Sequence, residues 1–200
     1  DLAAVSITYE LPDGEEVLDG NDLRKWLSVD KDGNYYKDTE KFDSKLTKYV
    51  KKLAEKVDTL GKERPFHTTS GLDVTVKGGN YGWQIDQKEE RKELRKNIKE
   101  MKNISREPIY SSREKYKKNH GLGDTYIEVN LTEQHLYYYQ DGRIVVDSPI
   151  VSGRMTRSRF TPPGVYFLTY KTRDKVLRGQ PLPDGTPSYE SPVSFWMPFN

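Results

Sequence analysis

The spacing of apolar residues most constrains this chain, because it changes from three and four residue steps in the first half to strict alternation after residue 123. Across residues 39–60, Phe42, Leu46, Tyr49, Val50, Leu53, Val57 and Leu60 fall on one stripe, and Gly61 stands where a helix terminus favours glycine. The spacing predicts an amphipathic helix there and a shorter one over 21–27, with Asn21 as its N-cap. Leu72, Val74 and Val76 alternate with polar residues, Gly78-Gly79-Asn80 offers turn chemistry, and residues 81–85 follow, so a β-hairpin is expected. Asp86 opens another helix, with Glu89 in a capping-box arrangement and Leu94, Ile98 and Met101 as its stripe.

Between residues 103 and 123 the period disappears around Pro108, Gly121 and Gly123, which places a domain boundary near Gly123. Beyond it, Ile127, Val129 and Leu131 alternate with Tyr126, Glu128 and Asn130. Residues 136–139 and 143–146 flank Asp141-Gly142, a dipeptide suited to a type I′ turn. Further strands are expected over 149–152, 165–171 and 193–199, whereas 176–191, with Pro181, Pro183, Gly185 and Pro187, reads as irregular. The fold class is therefore α+β: a mixed α/β unit over 1–123, then a mainly β, sandwich-like unit over 124–200.

Composition removes several functions. Lys+Arg 33 against Asp+Glu 31 leaves a net charge of +2 with the signs interspersed, which gives nucleic-acid binding little support. The one candidate basic patch, Arg106, Arg113, Lys115, Lys117 and Lys118, reads as a solvated linker or a contact for anionic wall polymers. No apolar run approaches the roughly 18 to 20 residues that cross a bilayer, so any membrane anchor is expected outside this sequence. Cysteine is absent, which excludes disulfides, thiolate metal sites and a cysteine nucleophile within these residues.

The three histidines, His67, His120 and His135, are far apart and lack the i+3 or i+4 partner of a helical metal site, so neither a metal nor a cofactor is expected. The glycines at 78, 79 and 82 have no following Lys-Ser/Thr, and a tight turn explains them better than a phosphate cradle. No serine sits in a nucleophile elbow. Tyr137-Tyr138-Tyr139 offers a stacking platform on paper, but alternation along a strand points to cross-strand pairing instead.

From Asp124 the text DTYIEVNLTEQHLYYYQDGR, then Ile150-Val151-Ser152-Gly153, Thr161-Pro162-Pro163-Gly164-Val165-Tyr166 and Phe195-Trp196-Met197-Pro198-Phe199 resemble, in order, the opening of the L,D-transpeptidase (YkuD-type) catalytic domain. In the first half, FHTTSG at 66–71 and GGNYGWQID at 78–86 resemble the peptidoglycan-binding domain that precedes it in Gram-positive homologues. The resemblance implies acyl transfer from a tetrapeptide stem to an acceptor amine through a cysteine thioester, forming cross-links in the bacterial wall. It also implies peptidoglycan stem peptides as partners, carbapenem β-lactams as inhibitors of the full-length enzyme, and an extracytoplasmic place in the wall or on the outer face of the membrane.

Tyr189 takes the position of a flap tyrosine facing substrate, and Trp196 and Met197 are expected to border the cleft, although alternation lets only one of these neighbours face it. The family's catalytic histidine and cysteine are expected after Asn200, so the catalytic unit is expected to be incomplete and this chain inactive. A non-catalytic peptidoglycan-binding protein is the alternative.

Overall fold

The computed structural model describes residues 2–200. Strands β1 (Ser6–Leu11) and β2 (Gly14–Asp19) form a hairpin that leads into helix α1 (Gly20–Arg24). The cap of α1 is Asp19, whose carboxylate accepts from Asp22 N at 3.0 Å; Asn21 already lies inside the helix. A short pair, β3 (Ser28–Val29) with β4 (Tyr35–Tyr36), precedes the main helix α2 (Thr39–Val57).

Helix α2 opens on Asp38, which accepts from Lys41 N at 3.0 Å, and buries Phe42, Leu46, Val50, Leu53, Ala54 and Val57. That stripe packs on Ile7 and Tyr9 of β1, on Leu18, Leu23 and Trp26, and on Leu94 and Ile98 of the later helix. Each fully buried aliphatic side chain there contributes about 1.5 to 3 kcal/mol. The helix stops at Val57 rather than Leu60, because the next amides are taken elsewhere. Thr59 N and Leu60 N both donate to Trp83 O, and the Asp58 carboxylate accepts from Ile85 N at 2.8 Å.

The expected hairpin over 72–85 is not formed. Strand β5 (Arg64–His67) pairs with β6 (Asp73–Val76), and β7 (Gln84–Ile85) pairs instead with β9 (Tyr110–Ser112). The β5–β6 turn closes at Thr68, whose amide donates to Leu72 O at 2.8 Å, with Gly71 at φ +84°. Between β7 and β9 run helix α3 (Gln87–Lys99) and strand β8 (Asn103–Arg106). Asp86 caps α3 as expected, accepting from Lys88 N and Glu89 N. Met101, however, lies beyond the helix with φ +50° and is exposed.

Residues 103–106 and 110–112 are strand, against expectation, while the break expected at Pro108 lies between them. β8 pairs parallel with β1, Ile104 beside Ile7, and completes the sheet order β2-β1-β8. A short parallel strand carries no alternating signature, and the charge of Arg106, which reads as solvated, is consumed by a buried carboxylate.

The second half holds β10 (Tyr126–Asn130), β11 (His135–Gln140) and β12 (Arg143–Pro149) in a three-stranded antiparallel sheet. Asp141 and Gly142 take φ +49° and +75°, which is the I′ geometry the dipeptide predicts. The 149–152 segment is held by Gln134 rather than by strand pairing: Ile150 N donates to Gln134 O and Ser152 N to Gln134 Oε1, each at 2.8 Å. Over 165–171 only Val165 pairs, and its partner is Gly79 of the first half. A long two-stranded ribbon, β13 (Thr172–Arg178) with β14 (Glu190–Trp196), follows, so both ends of the segment read as irregular are strand.

The faces of the β10–β12 sheet also invert the usual reading. Glu128 is 7% exposed, whereas Ile127, Val129, Ile144, Val145 and Val146 are all more than 40% exposed. The first half covers the Tyr126 and Glu128 side of this sheet.

Candidate functional site

The ribbon carries all three residues singled out for the site. Phe195 and Met197 lie on one side of it and, with Lys171, Thr172 and Arg173, bound a groove of about 370 Å³. Its floor is apolar and its rim cationic, with the Arg173 guanidinium 5.1 Å from the centre of the Phe195 ring. Trp196, one residue on, projects to the other side, where its indole Nε1 donates to the Tyr170 hydroxyl at 3.2 Å. Met197 thus lines the groove and Trp196 does not.

Tyr189 sits at the far end of β14, where Gly179 N donates to Tyr189 O at 3.0 Å. Its ring lies across Gly179 so closely that a Cβ there would stand 2.5 Å from Cδ1, which explains a glycine in this arm. By strand parity Tyr189 shares the face of Met197, but eight positions separate them, roughly 26 Å of extended chain. Beyond Tyr189 the ribbon narrows through the Pro181–Pro187 bridge to a tip where Asp184 accepts from both Thr186 N and Thr186 Oγ1. These Thr186 bonds hold the Asp184 carboxyl below its ordinary range. The tip is therefore an ordered turn.

Neither imidazole with a side-chain partner serves a hydroxyl. His67 Nδ1 meets Asp73 Oδ1 at 2.7 Å across β5–β6, and His135 Nε2 meets the Asp147 carboxylate across β11–β12. Among the described residues there is no group of three or more potential metal ligands. The tyrosine run behaves as strand alternation predicts, with Tyr139 stacked on Tyr126 at 4.7 Å. Three of the five residues of the basic linker patch are taken up in ion pairs, Arg106 with Glu90, Arg113 with Glu107 and Lys118 with Asp124.

Sequence reasoning missed Lys171, Arg173 and Phe195 as groove residues. Only the β13–β14 register, which sets Arg173 opposite Phe195, brings them together.

The comparisons agree with this architecture. Residues 124–198 match the family model described as L,D-transpeptidase catalytic domain, and residues 23–106 match the one described as Putative peptidoglycan binding domain. The structure of an Ldtfm-avibactam carbamoyl enzyme is 33% identical, covers 100% of this chain and 74% of its own, and superposes with a TM-score of 0.67. A cysteine-to-serine mutant of the Enterococcus faecium L,D-transpeptidase is also 33% identical, with the same TM-score and with 100% and 75% of the two chains covered. No curated protein sequence matches. A match to a peptidoglycan-binding domain followed by a match to a transpeptidase catalytic domain is the arrangement of a peptidoglycan-directed enzyme family. The chain belongs to the L,D-transpeptidase family.

Proposed function

We propose that this chain is the accessory unit and the leading part of the catalytic unit of a peptidoglycan L,D-transpeptidase, with the division near Gly123. In this reading a thiolate attacks the carbonyl between the third and fourth residues of a tetrapeptide stem. The base that took the thiol proton returns it to the nitrogen as the C–N bond breaks and D-alanine leaves; the amine of a neighbouring stem then takes the acyl group from the thioester, giving up its proton to the base and releasing the thiolate.

The observation that carries the reading is the ordered pair of family matches, peptidoglycan binding before catalysis, on a chain that relatives of this family match along its whole length. Relatives described as an avibactam carbamoyl enzyme and as a cysteine-to-serine mutant support covalent chemistry at a cysteine. The 200 residues contain no cysteine, so the thiolate of this mechanism is supplied from outside them. The same reading places the protein at the cell wall of a Gram-positive bacterium. Among the described residues no helix is long and apolar enough to cross a membrane.

Within this chain the Met197 groove, with Lys171 and Arg173 on its rim, suits a substrate carboxylate, and Tyr189 is the flap residue assigned to the acyl donor. Intact-mass measurement after incubation with a carbapenem tests the proposal. The 200-residue chain stays unmodified, whereas the full encoded protein gains one adduct per molecule, more slowly in its Tyr189→Ala variant. An adduct on the 200-residue chain, or none on the full protein, overturns the reading. The latter result would leave a non-catalytic peptidoglycan-binding protein.

A further inference from the structure

The two segments that mark the first half in sequence, residues 66–71 and 78–81, each commit some of their groups to the second half, Thr69 in the one and Gly78, Asn80 and Tyr81 in the other, while His67, Thr68 and Ser70 bond within the first half. Thr69 meets Glu128 of β10 with its backbone amide, at 3.1 and 3.0 Å to the two carboxylate oxygens, and with its hydroxyl at 2.6 Å. The same hydroxyl lies 2.8 Å from the Tyr139 hydroxyl. Beside them Phe66 packs edge-on against Tyr126 at 5.8 Å, and Tyr126 stacks on Tyr139. Glu128 is a mid-strand carboxylate at 7% exposure, and Thr69 supplies every hydrogen bond it is seen to make. Burial without that partner would be costly.

The second segment docks by backbone. Val165 N donates to Gly78 O at 3.1 Å, and Asn80 N and Tyr81 N donate to Val165 O at 3.0 and 3.1 Å. A Cβ on Gly79 would stand 1.9 Å from Val165 O, and one on Gly164 would stand 2.6 Å from Gly79 N. At Gly79 and Gly164 the approach of the other half leaves no room for a side chain, in addition to the positive φ of each, +90° and +150°. The Asn80 carboxamide then spans two separate segments, accepting from Phe167 N and donating to Phe199 O, both at 3.3 Å.

From these contacts we infer that residues 66–71 and 78–81 form an intramolecular docking surface whose occupant is the second half of this same chain. The occupant is seated through Glu128 and the Pro163-Gly164-Val165 turn. The two halves move as one body, and the groups committed to the contact, Thr69, Gly79 and the Asn80 carboxamide, are not offered to glycan or stem-peptide ligands. Any peptidoglycan contact made by the first half uses other residues. The inference rests on contacts alone and does not depend on the catalytic reading.

Backbone ¹⁵N relaxation on the 200-residue chain tests it. Both halves report one rotational correlation time, and a soluble disaccharide-tetrapeptide fragment of peptidoglycan leaves the amide signals of 66–71 and 78–81 in place. The double variant Gly79→Ala/Glu128→Gln gives two distinct correlation times while each half keeps its dispersed amide spectrum. Should that variant unfold, Thr69→Val, which removes one donor without adding bulk, gives the same divergence in weaker form. Separate tumbling of the unmodified chain, a common time in folded variants, or fragment-induced shifts confined to these two segments would overturn the inference.

Discussion

Replacing Glu90 by glutamine removes one charge from the most enclosed polar cluster in the molecule and leaves the shape unchanged. Glu90, on α3, has no exposed surface. Its Oε1 accepts from the Tyr9 hydroxyl at 2.7 Å and from Arg106 Nη2 at 2.6 Å, and its Oε2 accepts from Arg106 Nη1 at 3.0 Å and from Ile109 N at 2.8 Å. Arg106 Nε in turn donates to Asn97 Oδ1 at 2.9 Å. One carboxylate thus ties α3 to β1, to β8 and to Ile109, the residue just before β9.

In Glu90→Gln the carboxamide must turn an N–H₂ toward a donor, and the guanidinium loses its counter-charge where only 14% of its side chain is exposed. Removing one partner of a buried pair costs about 3 to 5 kcal/mol. At roughly 2 to 4 °C per kcal/mol for a chain of this size, the melting temperature should fall by about 6 to 20 °C. Urea unfolding followed by far-UV circular dichroism measures the loss at constant m-value. The double variant Glu90→Gln/Arg106→Met should recover part of it, since it removes the unpaired guanidinium while the carboxamide oxygen can still accept a hydrogen bond. A loss below about 1 kcal/mol in Glu90→Gln, or a double variant no better than the single, would refute the view that the charge pair is what this cluster depends on.

Limited trypsin digestion should cut first at Arg154, Arg157 or Arg159, in a strand-free stretch where Met155 is 94% exposed. The interval between residues 103 and 124 should resist, because β8 and β9 occupy it, Tyr81 Oη donates to Gly121 O at 2.6 Å, and Arg64 binds Glu114 and the His120 carbonyl; earlier cleavage there, read by mass, would contradict the placement. Alkaline stability should fall from about pH 10 upward. Burial, with Glu107 adding, pushes the Tyr110 phenol up to about 12, and burial followed by the Glu90 charge holds Tyr9 above its ordinary range, so the folded state keeps protons that the unfolded chain releases. A flat melting temperature between pH 9 and 11.5 would remove this linkage.

The residues supplied the candidates for the site, but not their arrangement. The motif order gave the family, and alternation along β14 implied that only one of Trp196 and Met197 faces the groove. Which one does follows from the β13–β14 pairing that places Met197 beside Lys171 and Arg173. Tyr189 is identifiable by motif position, but its distance from the groove depends on a ribbon whose prolines hide its strand character.

Local chemistry alone determined that α2 and α3 are helices, though not where their stripes end, and it determined the Asp86 cap and the Asp141-Gly142 turn, because each depends on residues within a few positions of one another. The chain's lack of a thiol was likewise settled by sequence. Tertiary structure decided where pairing partners are distant. β7 chose β9 over its neighbour, β8 joined β1 across the sequence, and Gly78-Gly79-Asn80 became a seat for Val165 instead of a hairpin turn. The physical reason is the same in each case. A backbone amide or a glycine can be satisfied by any segment that approaches it, and only the folded chain determines which segment arrives.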